Sequence, residues 1–163
     1  MQRFSYLLLI LFCVSSLSVS CISRNKRHKA PALFQSINIR LQTPITTSYV
    51  MTQKFRPLSN PSHQGVDLAG SKDSPIFTAA AGRVVYVGRK FSGYGKMILI
   101  DHGDGVSTLY SHLNKFYVNA GQTVHGRQII GSMGRTGRAT GVHLHFEVML
   151  NKNPVDPENY INL

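Results

Sequence analysis

The 163-residue chain has no tryptophan, only two cysteines, and seven acidic residues against eighteen lysines and arginines. Both cysteines, Cys13 and Cys21, lie near the N-terminus, so the body can hold neither a disulfide framework nor a cysteine-ligated zinc finger. Any metal must therefore sit on histidine and carboxylate. No run in the body approaches the ~20 apolar residues of a membrane span, and no window keeps apolar residues at helical spacing over the length a helix needs. The formal net charge of +11 would by itself suit nucleic acid, but no helix-turn-helix pattern, finger or aromatic platform accompanies it, so no nucleic-acid partner is expected. With 42 % hydrophobic and 15 % charged residues, the chain is too apolar for disorder and sufficient for one small core.

Residues 1–20 read as a signal peptide. Arg3 supplies a short positive region, residues 6–14 form a continuous apolar run, and Ser18, Val19 and Ser20 lead into Cys21. Cleavage before Cys21 leaves two readings: plain secretion with a free thiol, or a bacterial lipoprotein in which Cys21 is lipidated. The site departs from the usual lipoprotein pattern, having Ser18 where Leu or Val is customary. An exported protein gains little from one unpaired reactive cysteine, which favours lipidation. Arg24, Lys26, Arg27, His28 and Lys29 follow almost at once, suited to anionic headgroups or wall polymers and equally to a solvated spacer. Residues 21–50 are read as a basic and polar linker that can add an edge strand, and residues 51–163 as the domain. The location expected is the cell envelope, anchored to a membrane and facing the periplasm if the cell is Gram-negative.

All 14 glycines lie between Gly65 and Gly141, separating short β-favouring segments at residues 76–78, 83–87, 97–100, 106–110, 128–131 and 142–150. Asp101-His102-Gly103-Asp104-Gly105 has the glycines of a hairpin loop. The fold class expected is mainly β: an antiparallel sheet domain with long loops forming an open groove.

Histidine carries the chemistry. In a strand over residues 142–150, His143, His145 and Glu147 share one face while Leu144, Phe146 and Val148 share the other. The apolar set belongs to the core; the polar set is expected to line an open face. His63 and Asp67 sit in a loop entering a strand, since Pro61 and Gly65 oppose a helix, and their even spacing leaves them on one side. With one histidine from a distant strand they make three ligands and leave a fourth tetrahedral position open, as in a catalytic zinc site. Separately satisfied surface histidines are the alternative. His28, His102 and His125 are expected to be exposed and outside any site.

The stretch from about Phe55 to Asn159 resembles the zinc metallopeptidases of the M23 family, the lysostaphin-type or LytM-type domain, in a series of blocks occurring in order. These are His63-Gln64-Gly65-Val66-Asp67, residues 75–85, Gly93-Tyr94-Gly95, residues 98–104, Tyr110-Ser111-His112-Leu113, Gly121-Gln122 with Val124, and residues 136–147 ending in His143-Leu144-His145-Phe146-Glu147. The resemblance implies the lysostaphin-like duplicated-hybrid-motif fold, zinc held by His63, Asp67 and His145, and His112 and His143 as the catalytic pair. A neutral imidazole can take a proton from water and give it to the leaving amine, while another donates to the developing oxyanion; which histidine does which stays open. Glu147 can orient an imidazole or pair with an arginine. Arg135 and Arg138, on the loop of residues 134–141 expected to wall the groove, can meet substrate carboxylates or remain solvated. The resemblance further implies a Zn2+-dependent endopeptidase acting on peptidoglycan stem peptides. The alternatives are a non-catalytic relative that activates a wall amidase through a protein partner, and a secreted lysin.

Overall fold

The computed structural model describes residues 40–163. The expected signal peptide, Cys21, the basic run and His28 lie outside the described residues. Among those described the chain is antiparallel β-structure, with one 3-10 turn at Pro157–Asn159. The strands are β1 (Val50–Gln53), β2 (Val66–Ala69), β3 (Pro75–Phe77), β4 (Gly82–Gly88), β5 (Met97–Gly103), β6 (Val106–Ser111), β7 (Lys115–Phe116), β8 (Thr123–Val124), β9 (Ile129–Ser132), β10 (His143–Leu150) and β11 (Asn153–Val155).

The main sheet runs β1-β2-β10-β6-β5-β4-β8, and a second sheet runs β3-β9-β7. Strand β10 organises the first: β6 pairs along its length on one side, while β2 takes its first half and β11 its second half on the other. The alternation expected of β10 holds. Leu144, Phe146 and Val148 are fully buried in the core with Val66 and Leu68 of β2 and Tyr110 of β6. Each such side chain contributes about 1.5–3 kcal/mol of burial, which holds β10 and β2 in register and, with them, whatever their opposite faces carry.

The hairpin joining β5 to β6 turns at Asp104-Gly105, with Gly103, Asp104 and Gly105 all at positive φ. The expected linker ends earlier than residue 50. Leu41 and Ile45 are buried in the core. Their backbone is tied in by Gln42 N–H to the Ala79 carbonyl at 2.8 Å and Phe77 N–H to the Pro44 carbonyl at 2.9 Å. Two apolar anchors among polar residues and prolines give no periodic signal, yet they pull this segment onto the domain. Strand β1 then forms the sheet edge.

Candidate metal centre

Cross-strand register places the centre. His145 of β10 lies opposite Asp67 of β2 and opposite Ser111 of β6, and directly opposed residues project to the same face. The loop before β2 brings in His63, and Gly65 permits it: a Cβ there would stand 2.3 Å from the Phe146 carbonyl oxygen. His63 Nε2 is 3.1 Å from both Asp67 Oδ1 and His145 Nδ1, and His145 Nδ1 is 2.8 Å from Asp67 Oδ1. Tetrahedral ligands with bonds of ~2.0–2.1 Å stand about 3.3 Å apart, so this triangle is close to the one a single ion requires.

The orientation of the rings supports that fit. His63 Nδ1 faces the Lys54 carbonyl oxygen at 2.8 Å, so the proton sits on Nδ1 and the Nε2 lone pair points into the triangle. His145 Nε2 donates to Glu147 Oε1 at 2.9 Å, which turns Nδ1 into the triangle. The three side chains can therefore hold a divalent metal, with His63 presenting Nε2, and His145 backed by a carboxylate and turning Nδ1 inward, where a bound ion would replace its proton.

Two more imidazoles border the triangle. His112 donates from Nδ1 to the Thr136 carbonyl at 2.7 Å, and His143 from Nδ1 to the Gly141 carbonyl at 3.1 Å. Both leave Nε2 unprotonated toward the cleft, and His143 Nε2 is 3.7 Å from Asp67 Oδ1. Their ring centroids are 4.6 Å apart. His112 sits at φ +60, a left-handed conformation that costs a non-glycine residue about 1–2 kcal/mol; its N–H bond to the Tyr94 carbonyl at 3.0 Å and the Thr136 bond hold it there.

Burial opposes charge on His112 and, helped by the neighbouring imidazoles, pushes it down to about 4, so it is neutral at pH 7. Burial also opposes charge on His145, but the Asp67 and Glu147 carboxylates outweigh it and raise the group to about 9. Burial alone would raise Asp67; the His145 hydrogen bond and the surrounding imidazoles hold it below the ordinary carboxylate range instead.

The expected polar face is present but not open. His143, His145 and Glu147 are 9 %, 7 % and 2 % exposed, because the loop carrying Tyr94 folds over β10. Glu147 takes no arginine: its Oε1 accepts from His145 and from the Tyr94 hydroxyl at 2.8 Å. The cleft above the triangle, about 340 Å³, is lined by Gln53, Asn60, Gln64, Ser92, Arg138 and Thr140 together with the site residues.

His102 differs from expectation. It is half-buried, donating from Nδ1 to the Ala81 carbonyl at 2.8 Å and accepting at Nε2 from Thr108 at 2.7 Å. It belongs to a polar group beneath the sheet rather than to the surface. His125 is exposed as expected.

Sequence reasoning missed Tyr94 and Thr136 as parts of the site. Both were visible as members of motif blocks, but their contacts with Glu147 and His112 cross 53 and 24 residues. No spacing rule connects them. Ser111, opposite His145, carries a buried hydroxyl without a partner among the described residues.

Residues 61–157 match the model of Peptidase family M23. Among curated proteins, the chain is 44 % identical over 95 residues to a DD-carboxypeptidase/endopeptidase Mpg of Neisseria meningitidis serogroup B, covering 58 % of this chain and 22 % of that protein. It is 39 % identical over 99 residues to the lipoprotein YgeR of Escherichia coli, covering 61 % and 39 %. It is also 39 % identical over 103 residues to the murein hydrolase activator NlpD of Escherichia coli, covering 63 % and 27 %. The matched part thus spans well under half the length of these relatives. Among solved structures, a zinc-containing peptidase of Vibrio cholerae superposes with a TM-score of 0.66 at 32 % identity, covering 74 % of this chain and 40 % of that one. The catalytic domain of lysostaphin from Staphylococcus simulans gives 0.61 at 34 %, covering 67 % and 89 %.

Proposed function

The chain belongs to peptidase family M23, and on that basis we propose that it is a zinc-dependent endopeptidase hydrolysing peptide cross-links of bacterial peptidoglycan. The observation that carries this reading is the His63–Asp67–His145 triangle, with His63 Nε2 and His145 Nδ1 both turned inward and two further histidines presenting Nε2 beside it.

His63 Nε2, Asp67 Oδ1 and His145 Nδ1 would hold a zinc ion, whose chemistry when bound would be that of a Lewis acid toward water and an amide carbonyl. The protein supplies proton transfer. His112, neutral and anchored at Nδ1, accepts a proton at Nε2 from the attacking water and passes it to the leaving amine nitrogen. His143, anchored at Nδ1 on the Gly141 carbonyl and with Nε2 3.7 Å from Asp67 Oδ1, borders the same space and positions the attacking water by accepting a hydrogen bond from it. Glu147, gripped by Tyr94, keeps the His145 ring turned so that Nδ1 faces inward.

The same reading places the protein at the cell envelope, held by a lipid on Cys21 and by the basic run, with residues 21–40 as connector. The lipoprotein name of one relative supports it. A second reading, activation of another wall hydrolase through a protein partner, is favoured by the likeness to a murein hydrolase activator. Incubating isolated sacculi with the protein separates the two. Release of cross-link fragments in a zinc-dependent manner is the expected result. No release, together with faster hydrolysis by an added amidase, overturns the endopeptidase reading for the second.

A further inference from the structure

The groove lining points to the chemical class of the substrate, on the premise that the groove is a peptidase site. Among the described residues no aliphatic side chain lines it, so they offer no apolar side-chain pocket for selection. The mouth is built from neutral carboxamides and hydroxyls, which can follow any extended main chain. Its carboxylates among the described residues, Asp67 and Glu147, are taken up by His63, His145 and Tyr94. Among the described residues Arg138 is the one arginine or lysine on the wall, exposed and with no carboxylate in salt-bridge range.

We propose that Arg138 determines specificity by receiving a free carboxylate that the peptide substrate carries next to the bond to be cut. The loop beneath it is rigid. Its own N–H donates to the Gly93 carbonyl at 2.9 Å. Gly137, at φ +72, packs so closely on the opposite loop that a Cβ would stand 2.4 Å from Gly95 N. Two residues away, Thr136 holds His112 through its carbonyl and, through its hydroxyl, bonds Lys96 N–H and the Leu113 carbonyl, both at 2.9 Å. Arg138 and His112 thus line the same cleft and are braced by the same loop. The planar guanidinium matches carboxylate with two parallel hydrogen bonds, and only a charged substrate group exploits a lone cation. Peptide cross-links with a carboxylate beside the amide fit this groove; bridges of uncharged residues alone leave Arg138 unused.

The test compares two synthetic cross-linked peptides identical except that one has a free carboxylate beside the scissile amide and the other the corresponding carboxamide. With Arg138 solvent-exposed, the zinc-loaded full chain should favour the carboxylate twin by about tenfold in kcat/KM. In Arg138→Gln the ratio between the twins should fall to about one with zinc content unchanged, and Arg138→Lys should lie between. Equal rates in the wild type, or a preference that survives in Arg138→Gln, overturn the proposal. If the wild type cuts neither twin, the peptidase reading fails and Arg138 is judged by binding. Tighter binding of the carboxylate twin that is lost in Arg138→Gln supports the assignment; equal binding removes it.

Discussion

Each of the four imidazoles around Asp67 commits one ring nitrogen to a fixed acceptor, and the identity of that acceptor separates their roles. His63, His112 and His143 hold backbone carbonyls, whereas His145 holds a buried carboxylate. The last arrangement makes His145 the most electron-rich ligand and ties its ring to Glu147 and Tyr94. His145→Ala should therefore lose zinc by elemental analysis and lose turnover with it. His112→Ala should keep stoichiometric zinc and lose about 10²–10⁴ in kcat, the range for a general acid–base group; wild-type turnover in this variant would remove His112 from the mechanism. At the same scale, His102 gives a pH signature away from the centre. Burial depresses its folded-state value below the ordinary 6.5, so the unfolded chain takes up a proton first as the pH falls. Its contribution to stability is full above about 6.5 and is lost toward lower pH. Urea unfolding between pH 7.5 and 5 should show a steeper loss in wild type than in His102→Gln, and equal slopes would disprove the assignment.

Among the elements, β10 was the most legible in sequence, because alternation decides its two faces and its core face is unambiguous. The hairpin at Gly103 and Gly105 was equally plain from its glycines. Strands β7, β8 and β11, two or three residues long, carry no period and exist through their partners alone. The same reason hid the burial of Leu41 and Ile45. The motif blocks pointed to His63, Asp67 and His145, which the structure brings together, but not to Tyr94 and Thr136, since both act through loops that meet only in three dimensions. That meeting depends on Gly95 and Gly137, whose backbones are in contact. Gly137→Ala places a methyl 2.4 Å from Gly95 N at φ +72. The left-handed conformation costs ~1–2 kcal/mol and the contact adds to it, so a loss of more than about 2 kcal/mol is expected by denaturant unfolding. Because the same loop holds His112, kcat should fall at least about tenfold with zinc retained. Gly126→Ala, with the nearest atom at 3.6 Å and no positive φ, should change stability by less than about 0.5 kcal/mol.

For the molecule as a whole, the proposed function assigns chemistry to the domain and placement to the stretch preceding it. Every acidic residue lies within the described part, while Arg24, Lys26, Arg27 and Lys29 form an unopposed basic run just after Cys21. Near an anionic bilayer each such cation contributes about 1 kcal/mol, an attraction that salt weakens, whereas burial of acyl chains is insensitive to salt. The two anchoring terms can therefore be pulled apart. Cys21→Ser removes the lipid and keeps the cations, so the variant should leave the membrane fraction at about 150 mM salt and be partly recovered on anionic vesicles at about 20 mM. The wild type should stay membrane-bound at both. If Cys21→Ser remains bound through high-salt washing, lipidation is not the anchor, and the apolar run of residues 6–14 must be retained in the mature protein and hold it there.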